Sequence, residues 1–123
     1  MFYVTKVVKF ESAHKLNNYK GSCANLHGHS YKVEITFKGE KLDTVGMLAD
    51  FRLVKQLANE LIVSRCDHAY LNNVIVGANP TAEVMAFSFF KSFQEVLSST
   101  QGVDIHSVKV WETSDSYATY TED

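Results

Sequence analysis

A cysteine and two histidines lie close together in the stretch Cys23-Ala24-Asn25-Leu26-His27-Gly28-His29. If a strand begins here, His27 and His29 leave the same face, because alternate side chains of a strand share a face. Imidazole is a preferred ligand of zinc, which in catalytic sites takes three protein ligands and keeps one open position. The stretch therefore predicts two ligands of a zinc site, with the Cys23 thiol nearby as a nucleophile or base.

The third ligand of such a site must come from one of the three other histidines, His14, His68 and His106. We favour His14, because it ends the strand predicted before the Cys23 loop and so lies at the same side of the sheet as the histidine pair. His68 follows Asp67, and an imidazole beside a carboxylate suits proton transfer better. His106 has no polar neighbour that suggests a site.

Two simpler interpretations of the same residues stay open. The histidine pair can be ordinary strand residues on a half-exposed face, although a third histidine and a thiol nearby favour a metal. Alternatively, Cys23 can be the fourth ligand of a structural zinc site, which would close the open position and leave no chemistry. The second cysteine, Cys66, is expected to be a small buried group at a helix end.

A carboxylate near the carboxyl terminus also needs an explanation. Glu112 shares the alternation of Val108 and Val110, which places it with the core-facing residues of a strand. A carboxylate in that position requires hydrogen-bonding partners. The partner is either a backbone or lysine group, or a bound ligand that offers paired N–H donors.

Hydrophobic periodicity predicts six elements that position these residues. In chain order they are strands over Phe2–His14 and about His27–Lys38, helices from Asp50 to about Ser64 and from Asn79–Glu83 to about Ser98, and strands over roughly Val103–Thr113 and Tyr117–Thr121. Strands with helices grouped between them indicate an α+β fold, with a four-stranded antiparallel sheet and both helices on one face. Val7 beside Val8 predicts a twist or bulge in the first strand.

The predicted helices each carry an apolar stripe. The two stripes are Phe51, Val54, Leu57, Ala58, Leu61 and Ile62 in the first helix, and Val84, Phe87, Phe90, Leu97 and Phe93 or Gln94 in the second. Asp50 is expected to cap the first helix, and either Asn79 or Thr81 the second. The other face of the sheet carries Tyr3, Val7, Ala13 and Trp111, which predicts that the sheet closes into an oligomeric barrel.

The composition fits one globular domain over residues 1–123, with 46% hydrophobic residues, 21% charged residues and a net charge of −2. The lack of a basic excess argues against a nucleic-acid partner and leaves a small molecule as the expected one. No apolar stretch approaches the roughly 18 residues of a membrane span, and Met1–Lys6 does not resemble a signal peptide. We therefore expect a cytoplasmic chain with reduced cysteines and no membrane partner.

Several motifs, spread over nearly the whole chain, together resemble the 6-pyruvoyl-tetrahydropterin synthase / 6-carboxy-tetrahydropterin synthase family. They are Phe10-Glu11-Ser12-Ala13-His14, Cys23 to Tyr31, Gly46-Met47-Leu48-Ala49-Asp50-Phe51, Asp67-His68-Ala69-Tyr70-Leu71-Asn72, Asn79-Pro80-Thr81-Ala82-Glu83 and Trp111-Glu112-Thr113. No single motif is specific, but the joint match is.

The resemblance implies the tunnelling fold, in which ββααββ subunits form trimeric rings that stack as hexamers with sites at subunit interfaces. It implies one cofactor, Zn²⁺, and a role for each candidate residue. Those roles are zinc ligation by His14, His27 and His29, proton abstraction by Cys23 as the catalytic base, a proton relay through Asp67 and His68 of a neighbouring subunit, and pterin binding by Glu112 with Thr113 and Thr81 nearby.

The spacing between Cys23 and His27 bears on which reaction is run. Only Ala24-Asn25-Leu26 intervene, which resembles the carboxy-tetrahydropterin synthases of the queuosine pathway rather than the pyruvoyl branch with its longer spacing. The resemblance implies a lyase that converts 7,8-dihydroneopterin triphosphate to 6-carboxy-5,6,7,8-tetrahydropterin, acetaldehyde and triphosphate. The alternatives are triphosphate elimination without side-chain cleavage, a zinc hydrolase of another kind, and a non-catalytic zinc-stabilised module.

Overall fold

The computed structural model describes residues 1–123 as an α+β fold with a five-stranded mixed sheet. The strands are β1 (Phe2–His14), β2 (His27–Gly39), β3 (Ala69–Tyr70), β4 (Asp104–Thr113) and β5 (Ser116–Thr121). The helices are α1 (Phe51–Ala58), which continues through a π-helical segment (Asn59–Val63) into a last α-helical turn (Ser64–Cys66), then α2 (Leu71–Val74) and α3 (Ala82–Leu97). A 3-10 turn (Ser22–Ala24) interrupts the loop between β1 and β2.

The sheet has the order β3-β1-β2-β4-β5, so the prediction of four antiparallel strands is wrong. The additional strand, β3, pairs parallel with β1 through Ser12↔Ala69 and Ala13↔Tyr70. Two residues are too short to show any alternation, and this is why the sequence pattern did not indicate the strand. The predicted strand–strand–helix–helix–strand–strand order is otherwise present.

β1 and β2 form one continuous antiparallel ladder that carries the histidines to its end. Its register runs from Phe2↔Gly39 to His14↔His27 without a shift, so the predicted bulge in β1 is wrong. Lys6 keeps the core-facing parity and is half-buried, because a lysine can lay its hydrocarbon stem along apolar surface. The same parity continues through the buried Val8, Phe10 and Ser12.

The helices pack on the core-facing side of the sheet and begin as their caps predict. Asp50 accepts a hydrogen bond from the Arg52 backbone N–H at 2.9 Å, and Thr81 rather than Asn79 caps α3 by accepting from the Val84 N–H at 3.2 Å. The buried residues that the helical segments contribute are Val54, Ala58, Ile62, Cys66, Leu71, Ala82, Met85, Ala86, Phe89, Phe90 and Phe93. With strand residues such as Val33 and Ile35, they form one core.

Both predicted stripes are partly wrong. Phe51, the first residue of α1, is 56% exposed and lies outside the core. In α3 the buried face passes through Met85 and Phe89, whereas Phe87 is 45% exposed and packs its ring edge-on to Tyr120. Apolar residues surround the first turns of α3, so the spacing alone did not define which side faces the sheet.

The helices of this chain leave the second face of the sheet uncovered. Tyr3 and Val7 are exposed there, and Trp111 is half-buried under the Lys32 ammonium, which lies 4.3 Å from the ring centre. No helix in the structure combines the length and the apolar character needed to cross a membrane.

Candidate metal and active site

The β1–β2 ladder brings three histidines together. His14 lies directly opposite His27 at the end of the ladder, and His29 is two residues further along β2 on the same face. One ring nitrogen of each histidine lies within 4.8 Å of one ring nitrogen of both others. The group can hold a metal ion, and it contains the three residues that the sequence suggested as ligands.

Backbone carbonyls fix the orientation of two of these rings. His14 Nδ1 lies 2.8 Å from the Pro80 carbonyl oxygen, and His27 Nδ1 lies 2.7 Å from the Asn25 carbonyl oxygen. A carbonyl oxygen only accepts, so in both rings Nδ1 carries the proton and Nε2 presents a lone pair. Metal-binding histidines are commonly held in this way by the ring nitrogen that does not bind the metal.

The two Nε2 atoms then face each other at 2.9 Å with no proton of their own between them. Two lone pairs at this distance repel each other unless a cation or a proton lies between them. His29 adds a buried Nε2 with no hydrogen-bond partner. Burial above all lowers the pKa of His29, and the neighbouring His14 and His27 lower it further, against the opposing effect of Glu112. One ring nitrogen of each of the three histidines thus converges on a common point, and imidazole is a preferred ligand of zinc.

Glu112 faces the same group. Its Oε1 lies 3.3 Å from His14 Nε2 and 3.5 Å from His29 Nε2. The register of β4 against β5 shifts between Trp111 and Thr113, and such a bulge redirects the side chain that it contains. The Glu112 carboxylate has neither a backbone group nor a lysine as its hydrogen-bond partner. It lies beside the histidines, and about a third of its side chain is exposed.

Asp67 and His68 form a separate pair, directly after the helical turn Ser64–Cys66. Asp67 accepts from the Glu11 backbone N–H at 3.0 Å through Oδ1, and its Oδ2 lies 3.0 Å from His68 Nδ1. The bond from Glu11 and then the one from His68 lower the pKa of the Asp67 carboxyl. Because Nδ1 donates its proton to the Asp67 carboxylate, Nε2 of His68 carries no proton in the neutral ring, and the His68 side chain is 80% exposed.

The backbone of β1 holds this pair in place. The His68 N–H donates to the Glu11 carbonyl oxygen at 2.6 Å, and His68 has a φ of 54°. A left-handed conformation is uncommon for a residue with a Cβ, although histidine is among those that adopt it more often. An open groove of about 590 Å³ is lined by both His68 and His29, so the pair and one histidine of the metal group border the same space.

Cys23 lies in the 3-10 turn of the β1–β2 loop and is half-buried. It is not one of the residues whose ligand atoms lie within 4.8 Å of one another. The structure therefore gives no support to a four-ligand site that includes Cys23. Cys66 is fully buried at the end of a helical turn, and burial raises its pKa to about 11, so the prediction of a small buried group at a helix end is confirmed.

The two threonines that were expected near a substrate have hydroxyl groups with local structural partners. Thr81 caps α3, and Thr113 Oγ1 accepts from the Asp115 N–H at 3.2 Å in the turn between β4 and β5. Sequence reasoning missed the carbonyl groups of Asn25 and Pro80, which orient the histidines. The Asn79-Pro80 motif indicates a helix start but not a carbonyl partner for His14, because any residue type can supply a backbone carbonyl.

The fold and the site together define a class of protein, namely an α+β protein with a three-histidine group that can hold a metal at the end of its central strands. The description of the matching family makes this specific. The chain belongs to the 6-pyruvoyl tetrahydropterin synthase family, whose model matches residues 3–123, and it is an enzyme of that family.

Individual relatives agree with the family assignment. A 6-carboxy-5,6,7,8-tetrahydropterin synthase of Synechocystis sp. is 35% identical, over 98% of this chain and 93% of its own length. A protein of the same name from Haemophilus influenzae is 29% identical, over 99% of this chain and its own full length. Among solved structures, the 6-pyruvoyl tetrahydropterin synthase of Caenorhabditis elegans superposes with a TM-score of 0.86 at 25% identity, covering 99% of this chain and 96% of that one.

Proposed function

We propose that this enzyme is a zinc-dependent lyase that converts 7,8-dihydroneopterin triphosphate and one water molecule to 6-carboxy-5,6,7,8-tetrahydropterin, acetaldehyde and triphosphate. The observation that carries the proposal is the convergence of one ring nitrogen from each of three histidines, two of which are oriented by carbonyl groups at Nδ1. Bound by His14, His27 and His29, zinc would polarise the side-chain oxygens of the substrate and acidify the neighbouring C–H. The names of the relatives and the three residues between Cys23 and His27 favour the carboxy reaction.

The other residues take the proton-transfer and binding roles. The Cys23 thiolate removes a proton from the substrate side chain, and His68 returns one from its free Nε2 while Asp67 orients the ring through Nδ1. Glu112 accepts hydrogen bonds from the N–H groups of the pterin ring, and its position beside His14 and His29 supports an anchor next to the metal group. Thr81 and Thr113 flank the pterin in this proposal, through groups other than their engaged hydroxyls.

The proposed enzyme acts as a homohexamer, a dimer of trimers, in the cytoplasm and within queuosine biosynthesis. The exposed second face of the sheet supports assembly, because apolar and aromatic residues there have no cover within one chain. In the hexamer, Asp67 and His68 serve the metal group of a neighbouring subunit, which suits a pair whose imidazole is largely exposed in the single chain.

A second candidate is the pyruvoyl reaction, in which triphosphate leaves but the three-carbon side chain stays intact. It is favoured by the description of the family model and by the likeness to the Caenorhabditis elegans enzyme. Incubation with 7,8-dihydroneopterin triphosphate decides between the two, since acetaldehyde forms only if the side chain is cleaved. Triphosphate release without acetaldehyde would reject the carboxy reaction and support the pyruvoyl one.

The role of Cys23 has its own test. Cys23→Ala should lower turnover by a factor of about 100 or more while zinc stays bound, because a base contributes about that much and is not a ligand. Cys66→Ala is the matched control, since it removes the buried thiol and should keep turnover. Undiminished turnover in the Cys23 variant would refute its role, and loss of zinc from that variant would instead support a structural four-ligand site.

A further inference from the structure

Two asparagine side chains hold the segment that follows β1, at the start of the loop that carries Cys23. The backbone N–H of Lys15 donates to Asn72 Oδ1 at 3.0 Å, and Asn72 Nδ2 donates back to the Lys15 carbonyl oxygen at 2.9 Å. Asn79 makes the same reciprocal pair with Asn17, with an N–H···Oδ1 distance of 2.9 Å and an Nδ2···O distance of 2.8 Å.

A side-chain amide offers the same donor and acceptor as a peptide group, so each asparagine replaces one residue of a neighbouring strand. The position of these pairs supports that view. β3 pairs with β1 at Ser12 and Ala13 and then leaves the sheet as α2, which contains Asn72. Asn79 lies just before the α3 cap. The two amides therefore continue hydrogen bonding along the chain that extends β1, at alternate residues beyond the end of β3.

The residue between the two held ones bonds in another direction. Leu16 donates its N–H to the Cys23 carbonyl oxygen at 2.8 Å. Lys15 and Asn17 thus bond to the asparagines while Leu16 bonds to the returning arm of the loop, as alternate residues of an extended chain do. Cys23 is attached to a segment that is itself fixed on both sides of the attachment point.

We infer that Asn72 and Asn79 are positioning residues for Cys23. The two asparagines hold Lys15–Asn17 in an extended conformation, and the Leu16 N–H in turn binds the Cys23 carbonyl. The 3-10 turn that carries the thiol is thereby fixed in one position relative to the β1–β2 ladder. The catalytic consequence rests on the proposed role of Cys23 as a base. A displacement of about 1 Å in such a group lowers turnover by a factor of about 100.

Thiol labelling tests the inference without any substrate. Cys66 is fully buried, so iodoacetamide applied to the folded zinc-loaded protein reports on Cys23. Asn72→Ala and Asn79→Ala should each raise the labelling rate by about threefold or more and alter its pH profile, because a released loop exposes the half-buried thiol. Asn73→Ala is the matched control, since Asn73 is an exposed neighbour in α2 and should label like the wild type.

Turnover adds a graded test. Asn72→Ala should lower kcat by about tenfold or more with little change in KM, and zinc content should stay at the wild-type level because the histidines are held by the β1–β2 ladder. Asn72→Asp keeps the acceptor for the Lys15 N–H but loses the donor to the Lys15 carbonyl. It should fall between the wild type and the alanine variant in labelling rate.

Wild-type labelling rates and pH profiles in both alanine variants would overturn the inference. If one variant does not fold, the other variant and hydrogen exchange in the wild type still test the inference. The inference requires that the amides of Lys15, Leu16 and Asn17 are protected from exchange. Rapid exchange at all three would also overturn it. Failure of the proposed function is distinguishable, since it would appear as no product from the wild-type enzyme whatever the labelling shows.

Discussion

His14 shows how one side chain of the site depends on three parts of the chain. It comes from the end of β1, its Nδ1 is held by the Pro80 carbonyl before α3, and its Nε2 meets His27 of β2. Only 1% of its surface is exposed, so the ring has little freedom to reorient. The direction of its lone pair is thus set by tertiary structure and not by His14 alone.

Replacing His14 should remove metal binding more strongly than replacing a histidine outside the group. Loss of an outer partner of a metal ligand already lowers affinity by about 10 to 100-fold, so His14→Gln should lower zinc affinity by more than about 100-fold. Competition with a chromophoric chelator measures the change. His106→Gln is the control, and equal zinc affinity in both variants would exclude His14 as a ligand.

At the residue scale, types and spacing predicted the members of the histidine group but not what surrounds them. His27 and His29 are two residues apart on a strand, so their side chains lie on one face, and the alternation of β1 likewise predicted His14 at the strand end. The carbonyl partners and the contact between Glu112 and the histidines depend on where separate segments meet. The bulge in β4 that directs Glu112 has no local signature in the sequence.

At the scale of elements, the strands and helices with the most regular hydrophobic period were predicted most accurately. The ends of β1 and β2 were predicted to within a residue, because a long alternation of apolar residues indicates a strand in both, although Val7 beside Val8 wrongly suggested a bulge in β1. The face of α3 was predicted in part, since its first turns are apolar on several sides. β3 was missed because it consists of two residues that are paired by tertiary contact alone.

The end of β2 provides a prediction on packing between elements. A Cβ on Gly39 would overlap the Gly102 carbonyl oxygen and the side chain of Leu48, whereas a Cβ on Gly28 would make only ordinary contact with Ser12. Gly39→Ala should lower the free energy of unfolding by about 1–3 kcal/mol, the usual cost of overpacking. Urea unfolding measures it, and Gly28→Ala, the matched control, should unfold near the wild-type midpoint.

The carboxyl-terminal strand is fastened to α3 by Glu122, and this contact should depend on pH. Its carboxylate accepts from Lys91, from Gln94 at 2.8 Å and from the Tyr120 hydroxyl at 2.6 Å, with Lys91 the main cause of a pKa lowered to about 2. In the unfolded chain Glu122 has its ordinary pKa of 4.5, so between about pH 2 and pH 4.5 the unfolded chain binds more protons than the folded chain. The contribution to stability is therefore complete above pH 4.5 and is lost as the pH falls toward about 2.

The corresponding measurement compares Glu122→Gln with the wild type in urea. The variant should be the less stable protein at neutral pH, and the difference should shrink steadily below pH 4.5. Glu95→Gln, an exposed carboxylate on the same helix, serves as the control and should track the wild type. A difference that is independent of pH would show that the charge of Glu122 contributes nothing to this contact.

At the scale of the whole molecule, the single chain leaves two features unexplained by its own contacts. The sheet face that carries Tyr3, Val7 and Trp111 has no helix over it, and the Asp67–His68 pair directs a free Nε2 toward solvent. Both are explained if each site is built from two subunits of the proposed hexamer. A cyclic assembly repeats the same contact around the ring, so every metal group would receive the same pair.

Mixing two inactive variants tests whether the sites are shared. Cys23→Ala lacks the proposed base and His68→Ala lacks the proposed relay, so each alone should have little turnover. If Cys23 and His68 of one site come from different subunits, co-refolding equal amounts gives both intact residues at one half times one half, or about a quarter, of the sites. Turnover per subunit should then recover to about a quarter of the wild-type value in the hexamer fraction, with light scattering confirming the assembly. Sites contained within one chain would show no recovery, because every chain in the mixture lacks one of the two residues.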